Sequence, residues 1–95
     1  MPEFLTILAL YYACDQAAMQ TVLSPGQAAQ CVDTYSQVKA HFLTQDELNA
    51  LAGQAPQDRI VALRQGYPRF KAWEIANPDT VRDARAAAGI AVAGL

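Results

Sequence analysis

Apolar side chains recur every three or four residues through the first quarter of the chain, which is the spacing of one face of a helix. Residues 4–23 contain no helix breaker, and one stripe of that segment carries Ile7, Tyr11, Cys14, Ala18 and Val22. The first half of the segment is apolar on nearly every side, as in a helix that has neighbours all around it. We therefore predict a first helix over residues 4–23 that is central to the fold.

A second helix is predicted directly after the first, over residues 25–42. Ser24 can cap its start, Pro25 suits the first helical position, and Gln27 can return a hydrogen bond to the capping residue. The apolar face of this helix carries Ala28, Cys31, Tyr35, Val38 and Phe42. Two helices joined by so short a turn pack side by side in opposite directions, so we expect an antiparallel hairpin.

Shorter helices are predicted in the rest of the chain from capping residues, prolines and glycines. Thr44 and Glu47 repeat the capping pattern and open a helix that ends near Gly53. Further helices are expected over residues 56–65, stopped by Gly66, over residues 68–76, opened by Pro68, and over residues 78–93.

The composition agrees with a fold made of helices. Alanine is very frequent and β-branched residues are sparse, which favours helix because alanine loses no side-chain entropy on coiling. We predict the all-α class in a single helical domain, residues 1–95. Its frame is a long antiparallel helical hairpin linked by a disulfide, with two or three short helices and a C-terminal helix packed on it.

The charge and hydropathy of the chain argue against nucleic-acid binding and against a membrane-spanning helix. The formal net charge is −2, so the whole chain has no basic field that would attract a phosphate backbone, and nucleic acid is not an expected partner. The apolar run near the N-terminus is shorter than the roughly 20 residues that a membrane-spanning helix needs, so no transmembrane segment is expected.

The start of the chain bears on the compartment. Bacterial proteins usually lose an initiator methionine that precedes proline, yet Met1 precedes Pro2 here. This pattern fits a chain whose signal peptide has been removed from a longer precursor, and an untrimmed initiator methionine explains it equally well.

The two cysteines have three possible roles: a disulfide, two reduced core thiols, or part of a metal site. Cys14 and Cys31 stand at similar heights above the turn and both lie on apolar stripes, so facing sulfurs can reach disulfide distance. We favour the disulfide, which indicates an oxidising compartment. The one histidine, His41, falls on the polar side of its helix and no metal-ligand spacing is present, so we expect no metal site.

The sequence carries no set of residues that argues for catalysis. Neither cysteine has a base placed to activate it, and no phosphate-binding glycine loop or hydrolase motif occurs. We expect no enzymatic activity and no cofactor.

The stretch LTQDELNALAG, residues 43–53, resembles the first helix of the helix-turn-helix of phage-type repressors. The resemblance implies a recognition helix within residues 54–66, with Gln54, Gln57 and Arg59 towards bases and Arg64 near phosphate. An ordinary capped helix followed by an amphipathic one explains the same residues. A cytosolic helix-turn-helix DNA-binding regulator that uses residues 43–66 is therefore the alternative function.

Residues 66–75, GYPRFKAWEI, concentrate aromatic and cationic side chains, the types that dominate protein interfaces. We predict a protein-binding surface formed by Tyr67, Arg69, Phe70 and Trp73. The competing interpretation is that Phe70 and Trp73 cover the core of the hairpin. Small apolar residues over 86–95 can dock within the molecule or join copies of it.

Together these features predict a small, exported, non-enzymatic binding or assembly protein, such as an envelope subunit, an inhibitor or immunity-type protein, or a particle component. The expected location is periplasmic or extracellular, with cytoplasmic as the alternative. Its partner is expected to be another protein, or a second copy of this chain held through the C-terminal helix.

Intact mass measured without reductant tests the disulfide. The oxidised chain should be lighter by two hydrogen atoms than the sequence mass, and reductant should restore them. A chain purified from its natural source at the full reduced mass would count against export.

Overall fold

The computed structural model describes residues 4–93, and this part of the chain forms six helices and no strand. They are α1 (Phe4–Gln20), α2 (Pro25–His41), α3 (Gln45–Leu51), α4 (Pro56–Leu63), α5 (Gly66–Ala76) and α6 (Pro78–Ala93). The all-α prediction and the order of its elements are confirmed. Among the described helices, none combines the length and the apolar character needed to cross a membrane.

Helix α1 is shorter than its apolar stripe predicts. It ends at Gln20, and Val22, predicted to lie on the stripe, is 94% exposed. The reason is the capping box of α2, in which Ser24 has an extended backbone. The Gln27 backbone N–H donates to the Ser24 hydroxyl, and the Ser24 backbone N–H donates to the Gln27 side-chain oxygen. The residues before Ser24 must uncoil to deliver it in this conformation.

The disulfide predicted from the two apolar stripes is present. Cys14 on α1 and Cys31 on α2 are joined with their Cα atoms 5.7 Å apart, within the usual range for such a bond. The cysteines are 17 residues apart in sequence, and closing a loop of this size stabilises the fold by about 3 kcal/mol in the chain-entropy model.

Helix α1 is central, as its apolar character predicts. It packs against both α2 and α6, but not on every side as predicted, because Leu5 and Leu10 are each about half exposed. The buried core lies along these contacts and consists of Leu8, Tyr12, Val38, Phe70, Val81, Ala84 and Ala88. Alanines at the contact with α6 leave little space between the helix axes, which suits the close packing of α1 and α6.

Phe70 joins three helices through aromatic contacts. Its ring centroid lies 5.2 Å from that of Tyr11 on α1, 5.7 Å from that of Phe42 just after α2, and 6.5 Å from that of Trp73 on α5. Phe70 is 1% exposed, so most of the surface of this large side chain is removed from water. Removing such a ring from a core typically costs about 3–5 kcal/mol.

The half-buried carboxylate of Glu74 ties α1, α5 and α6 together. Glu74 accepts a hydrogen bond of 2.5 Å from the Tyr12 hydroxyl, and pairs with Lys71 at 2.6 Å and with Arg85 at 3.8 Å. Burial by itself raises the pKa of Glu74, but hydrogen bonds from Lys71 and Tyr12 outweigh it and hold the pKa below its usual value. The carboxylate therefore stays charged and paired.

Gly66 begins α5, although the sequence predicts that it stops α4 and that Pro68 opens the next helix. Helix α4 already ends at Leu63, and no described glycine has a positive φ, so Gly66 does not serve as a left-handed helix stop. Its position is instead set by packing. A Cβ atom on residue 66 would lie against the Lys39 carbonyl oxygen and 2.7 Å from the carbonyl carbon, so α5 meets the α2 backbone directly.

The substitution Gly66→Ala should therefore destabilise the protein, because backbone atoms cannot move aside as a flexible side chain can. We expect a loss of about 1–3 kcal/mol in the free energy of unfolding, measured by urea denaturation.

Gly26→Ala is the matched control, since nothing lies within 4 Å of its added Cβ and it stands in α2. This variant should be as stable as the parent or gain up to about 1 kcal/mol from helix propensity. Equal stability of the two variants would show that α5 does not press on α2.

Candidate functional site

An apolar cleft opens where α1, α2 and the start of α5 meet. Its volume is about 490 Å³, within the range of small binding sites in proteins. It is lined by Tyr11, Asp15, Tyr35, Val38, Lys39, Arg64, Tyr67 and Phe70. We call this site the tyrosine cleft.

Helical spacing brings the lining residues together. Tyr11 and Asp15 are one turn apart on α1, and Tyr67 and Phe70 are one turn apart on α5. Val38 and Phe70 are each 1% exposed and form the floor of the cleft, whereas Tyr67 is 46% exposed and stands at its rim. The contact of Gly66 with the α2 backbone sets the distance between α2 and the start of α5, which form two sides of the cleft.

A hydrogen bond fixes one wall of the cleft. The Tyr35 hydroxyl donates to Asp15 Oδ1 at 2.9 Å, and the Tyr11 and Tyr35 rings meet edge to face with their centroids 4.9 Å apart. Burial, reinforced by the bond to Asp15, raises the pKa of Tyr35 to about 12. Burial also raises the pKa of Tyr11 above its ordinary value, so both phenols keep their protons at physiological pH and can donate hydrogen bonds.

The charged lining is net positive. Lys39 and Arg64 each bring a positive charge to the cleft, against the single negative charge of Asp15. Within residues 4–93 neither Lys39 nor Arg64 forms an ion pair. The cleft therefore differs in sign from the chain as a whole, whose formal net charge is −2.

The structure separates the four residues predicted as a protein-binding surface. Tyr67 and Phe70 both line the tyrosine cleft, Tyr67 at its rim and Phe70 at its floor. Phe70 belongs to the core, so its side chain is not available at the surface. Trp73 is half-buried against Phe4 and Phe42, with ring centroids 5.2 Å and 6.1 Å away.

Arg69 is exposed but holds α3 to α5. Its guanidinium donates to both carboxylate oxygens of Glu47, at 2.7 Å and 3.1 Å, and to the Phe42 carbonyl oxygen at 2.9 Å. Glu47 also closes the capping box of α3, where it accepts the Thr44 backbone N–H at 2.7 Å. Hydrogen bonds from Arg69 and then from the Thr44 backbone lower the pKa of Glu47 to about 2.

Tyr11 and Tyr35 were not predicted as site residues, although the sequence contains a signal for them. Tyr11 lies three residues before Cys14, and Tyr35 four residues after Cys31. In an antiparallel hairpin, residues one turn from a linked pair, on matching sides, also face each other. The disulfide thus predicts the contact between the two tyrosines. No sequence signal identifies Lys39 and Arg64, which depend on where α5 docks.

The fold divides the four residues that the helix-turn-helix resemblance assigns to DNA contacts, Gln54, Gln57 and Arg59 to bases and Arg64 to phosphate. Gln57, Arg59 and Arg64 are exposed on or just after α4. Gln54, in contrast, has its side-chain oxygen buried without a hydrogen-bond partner among the described residues, so that acceptor does not face solvent. DNA binding stays a prediction for the remaining three.

The side chains that line the tyrosine cleft are of types that bind a ligand. Both sulfurs are committed to the disulfide, and the tyrosine cleft offers aromatic walls, phenol donors and two cations. His41 is exposed and stacks on Phe4 with ring centroids 3.9 Å apart. In residues 4–93, no group of three or more His, Cys, Asp or Glu side chains is placed to hold a metal ion.

Part of the predicted oligomer seam, residues 90–95, lies outside the side chains that the structure describes. Within residues 86–89, Ala88 is buried in the core, while Ala86 and Ala87 are exposed. The homo-oligomer prediction therefore stays a prediction.

Comparison with known proteins finds no matching family model, no matching curated protein and no matching solved structure.

The low pKa of Glu47 predicts how acid affects stability. A carboxylate with a folded pKa of about 2 and an ordinary unfolded pKa stabilises the fold above about pH 5, and this stabilisation is lost as the pH falls towards 2. Glu47→Gln should lower the melting temperature at pH 7, and the gap to the parent should close between pH 5 and pH 2. Thermal melts followed by circular dichroism measure both values.

Glutamine can still close a capping box, so this substitution removes the charge and largely spares the cap. In the double variant Glu47→Gln/Arg69→Gln the loss at pH 7 should be smaller than the sum of the two single losses. Additive losses, or a gap that stays constant with pH, would contradict a stabilising pair between Glu47 and Arg69.

Proposed function

We propose that this protein is a small, exported, non-enzymatic binding or assembly protein that holds a segment of another protein in the tyrosine cleft. The observation that carries the proposal is the position of Tyr67, an exposed aromatic ring at the rim of a preformed apolar cleft. Tyrosine at such a place offers a large contact area and a hydrogen-bonding hydroxyl, with little entropy to lose on binding.

The other seven aromatic residues differ from Tyr67 in their contacts, and this difference supports Tyr67 as the binding residue. The chain has eight Phe, Tyr and Trp residues, and within the described residues seven of them contact one another in a single network. Tyr67 stands outside that network, and the Lys71 ammonium lies 6.0 Å from its ring centroid. Packing of the core accounts for the seven rings and leaves Tyr67 without a structural role.

The rigidity of the cleft favours binding. Val38 and Phe70 are held by the core, Tyr35 is held by Asp15, and the backbone contact at Gly66 fixes the rim. A partner that enters such a site does not have to order its walls, so more of the contact energy appears as affinity.

Export is proposed on the strength of the disulfide. Disulfides persist in the periplasm and outside the cell, whereas thiol reductants of the cytosol keep most cysteines reduced. The bond between Cys14 and Cys31 joins the two longest helices, so its presence matters for the whole hairpin. A reducing cytosol would remove that contribution.

Affinity capture with two matched variants tests the binding site. Tyr67→Ala removes the exposed ring at the cleft, whereas Ile75→Ala removes an apolar side chain from the same helix that is 83% exposed and does not line the cleft. Immobilised protein is incubated with an extract of the natural source, and retained proteins are quantified by mass spectrometry.

At least one protein should be retained equally by the parent and by Ile75→Ala, and about tenfold less by Tyr67→Ala, because truncating a central interface residue costs about 1–2 kcal/mol or more. Circular dichroism checks that both variants are folded. If every retained protein binds Tyr67→Ala as well as the parent, the cleft is not the binding site.

A further inference from the structure

We infer that the segment bound in the tyrosine cleft is an acidic peptide, in which an aromatic or large aliphatic side chain stands next to one or more carboxylates. This inference names the partner class and rests on the proposed function of the cleft. It follows from the apolar floor of the cleft, from two cations at the cleft that form no ion pair within residues 4–93, and from the tyrosine hydroxyl groups of its lining.

The floor and walls fit an apolar side chain. Phe70 and Val38 close the bottom of the cleft, and Tyr11 contributes an aromatic wall. A volume of about 490 Å³ is large enough for an aromatic side chain together with part of its backbone. Aromatic rings on the partner would meet aromatic walls, where edge-to-face contacts add to the energy of burial.

Most cations of the chain form ion pairs, whereas the two at the cleft form none within residues 4–93. Four of the seven Lys and Arg residues pair with carboxylates in the described part of the chain, namely Arg69, Lys71, Arg82 and Arg85. Lys39, Arg59 and Arg64 form no such pair within residues 4–93, and two of these three, Lys39 and Arg64, line the cleft. Two cations beside an apolar site attract a ligand whose negative charge lies next to an apolar group.

The polar groups of the cleft also favour an anion. Asp15 already accepts a hydrogen bond from Tyr35, so its charge is partly satisfied within the protein. The Tyr11 hydroxyl keeps its proton and can donate to a carboxylate oxygen. A cationic side chain entering here would meet Lys39 and Arg64, and like charges at close range are repulsive.

Three synthetic peptides that differ only in charge test the inference on the oxidised full chain. Each carries a central tryptophan followed by two glutamates, two glutamines or two lysines, with both ends blocked. Titration calorimetry gives the affinities, and amide shifts in ¹⁵N spectra of the labelled protein locate the bound peptide. A short single-stranded thymidine oligonucleotide is titrated in the same way.

Charge variants supply the matched comparison. Lys39→Gln and Arg64→Gln should each weaken binding of the glutamate peptide about 1.5- to fivefold, the usual range for one exposed ion pair. Arg82→Gln removes an exposed cation from α6, away from the cleft, and should leave the affinity unchanged. Raising the salt concentration should weaken binding of the glutamate peptide and have little effect on binding of the glutamine peptide.

The inference is supported if the glutamate peptide binds most tightly, the lysine peptide most weakly, and the shifts concentrate at Tyr35, Lys39 and Tyr67. It is overturned if the three peptides bind equally, if none binds, or if the oligonucleotide binds more tightly than the glutamate peptide. If the three peptides bind equally at the cleft, the preference for an acidic partner is wrong but the proposed function is not contradicted. If Tyr67→Ala captures the same proteins as the parent, the proposed function itself is wrong.

Discussion

The backbone contact between Gly66 and Lys39 is the constraint on which the candidate site depends. Helix α5 can begin against α2 only because residue 66 has no side chain, and that contact sets where the next turn of α5 falls. Phe70 then reaches the core between α1 and α2, while Tyr67 is left at the surface. Lys39, whose backbone makes the contact, lines the cleft from the other side. A single close approach therefore positions the floor, one rim and one of the cations of the tyrosine cleft.

The two ends of the α1–α2 hairpin are held by different chemistry. Towards the turn, the disulfide between Cys14 and Cys31 fixes the spacing of the helices covalently. Towards the open end, Phe70 and Trp73 of α5 meet Tyr11, Phe4 and Phe42 in a network of rings. The cleft lies between these two regions, where Tyr11 and Tyr35 face each other beyond the disulfide. Its walls are therefore held by fixed contacts on both sides, the disulfide towards the turn and the ring network towards the open end.

Local signals in the sequence were sufficient for much of the fold. Ser24 with Gln27, and Thr44 with Glu47, form the two capping boxes that their spacing predicts, and the apolar stripes place Cys14 opposite Cys31. The site was predicted less well because it depends on contacts between distant segments. Arg69 was predicted as a contact residue from its type, and its bond to Glu47, 22 residues away, could not be predicted from the sequence. Gly66 appeared to be a helix stop, since the close approach of α2 cannot be read from neighbouring residues.

The central claim is that a partner occupies the tyrosine cleft, and hydrogen exchange measured on the purified native complex tests it most directly. If the claim holds, the partner should slow amide exchange in residues 35–39 and 64–70, because these segments line the cleft. Exchange in residues 21–24, the exposed turn between α1 and α2, should be unchanged. Protection confined to that turn or to α6, with none in residues 35–39 and 64–70, would contradict the account.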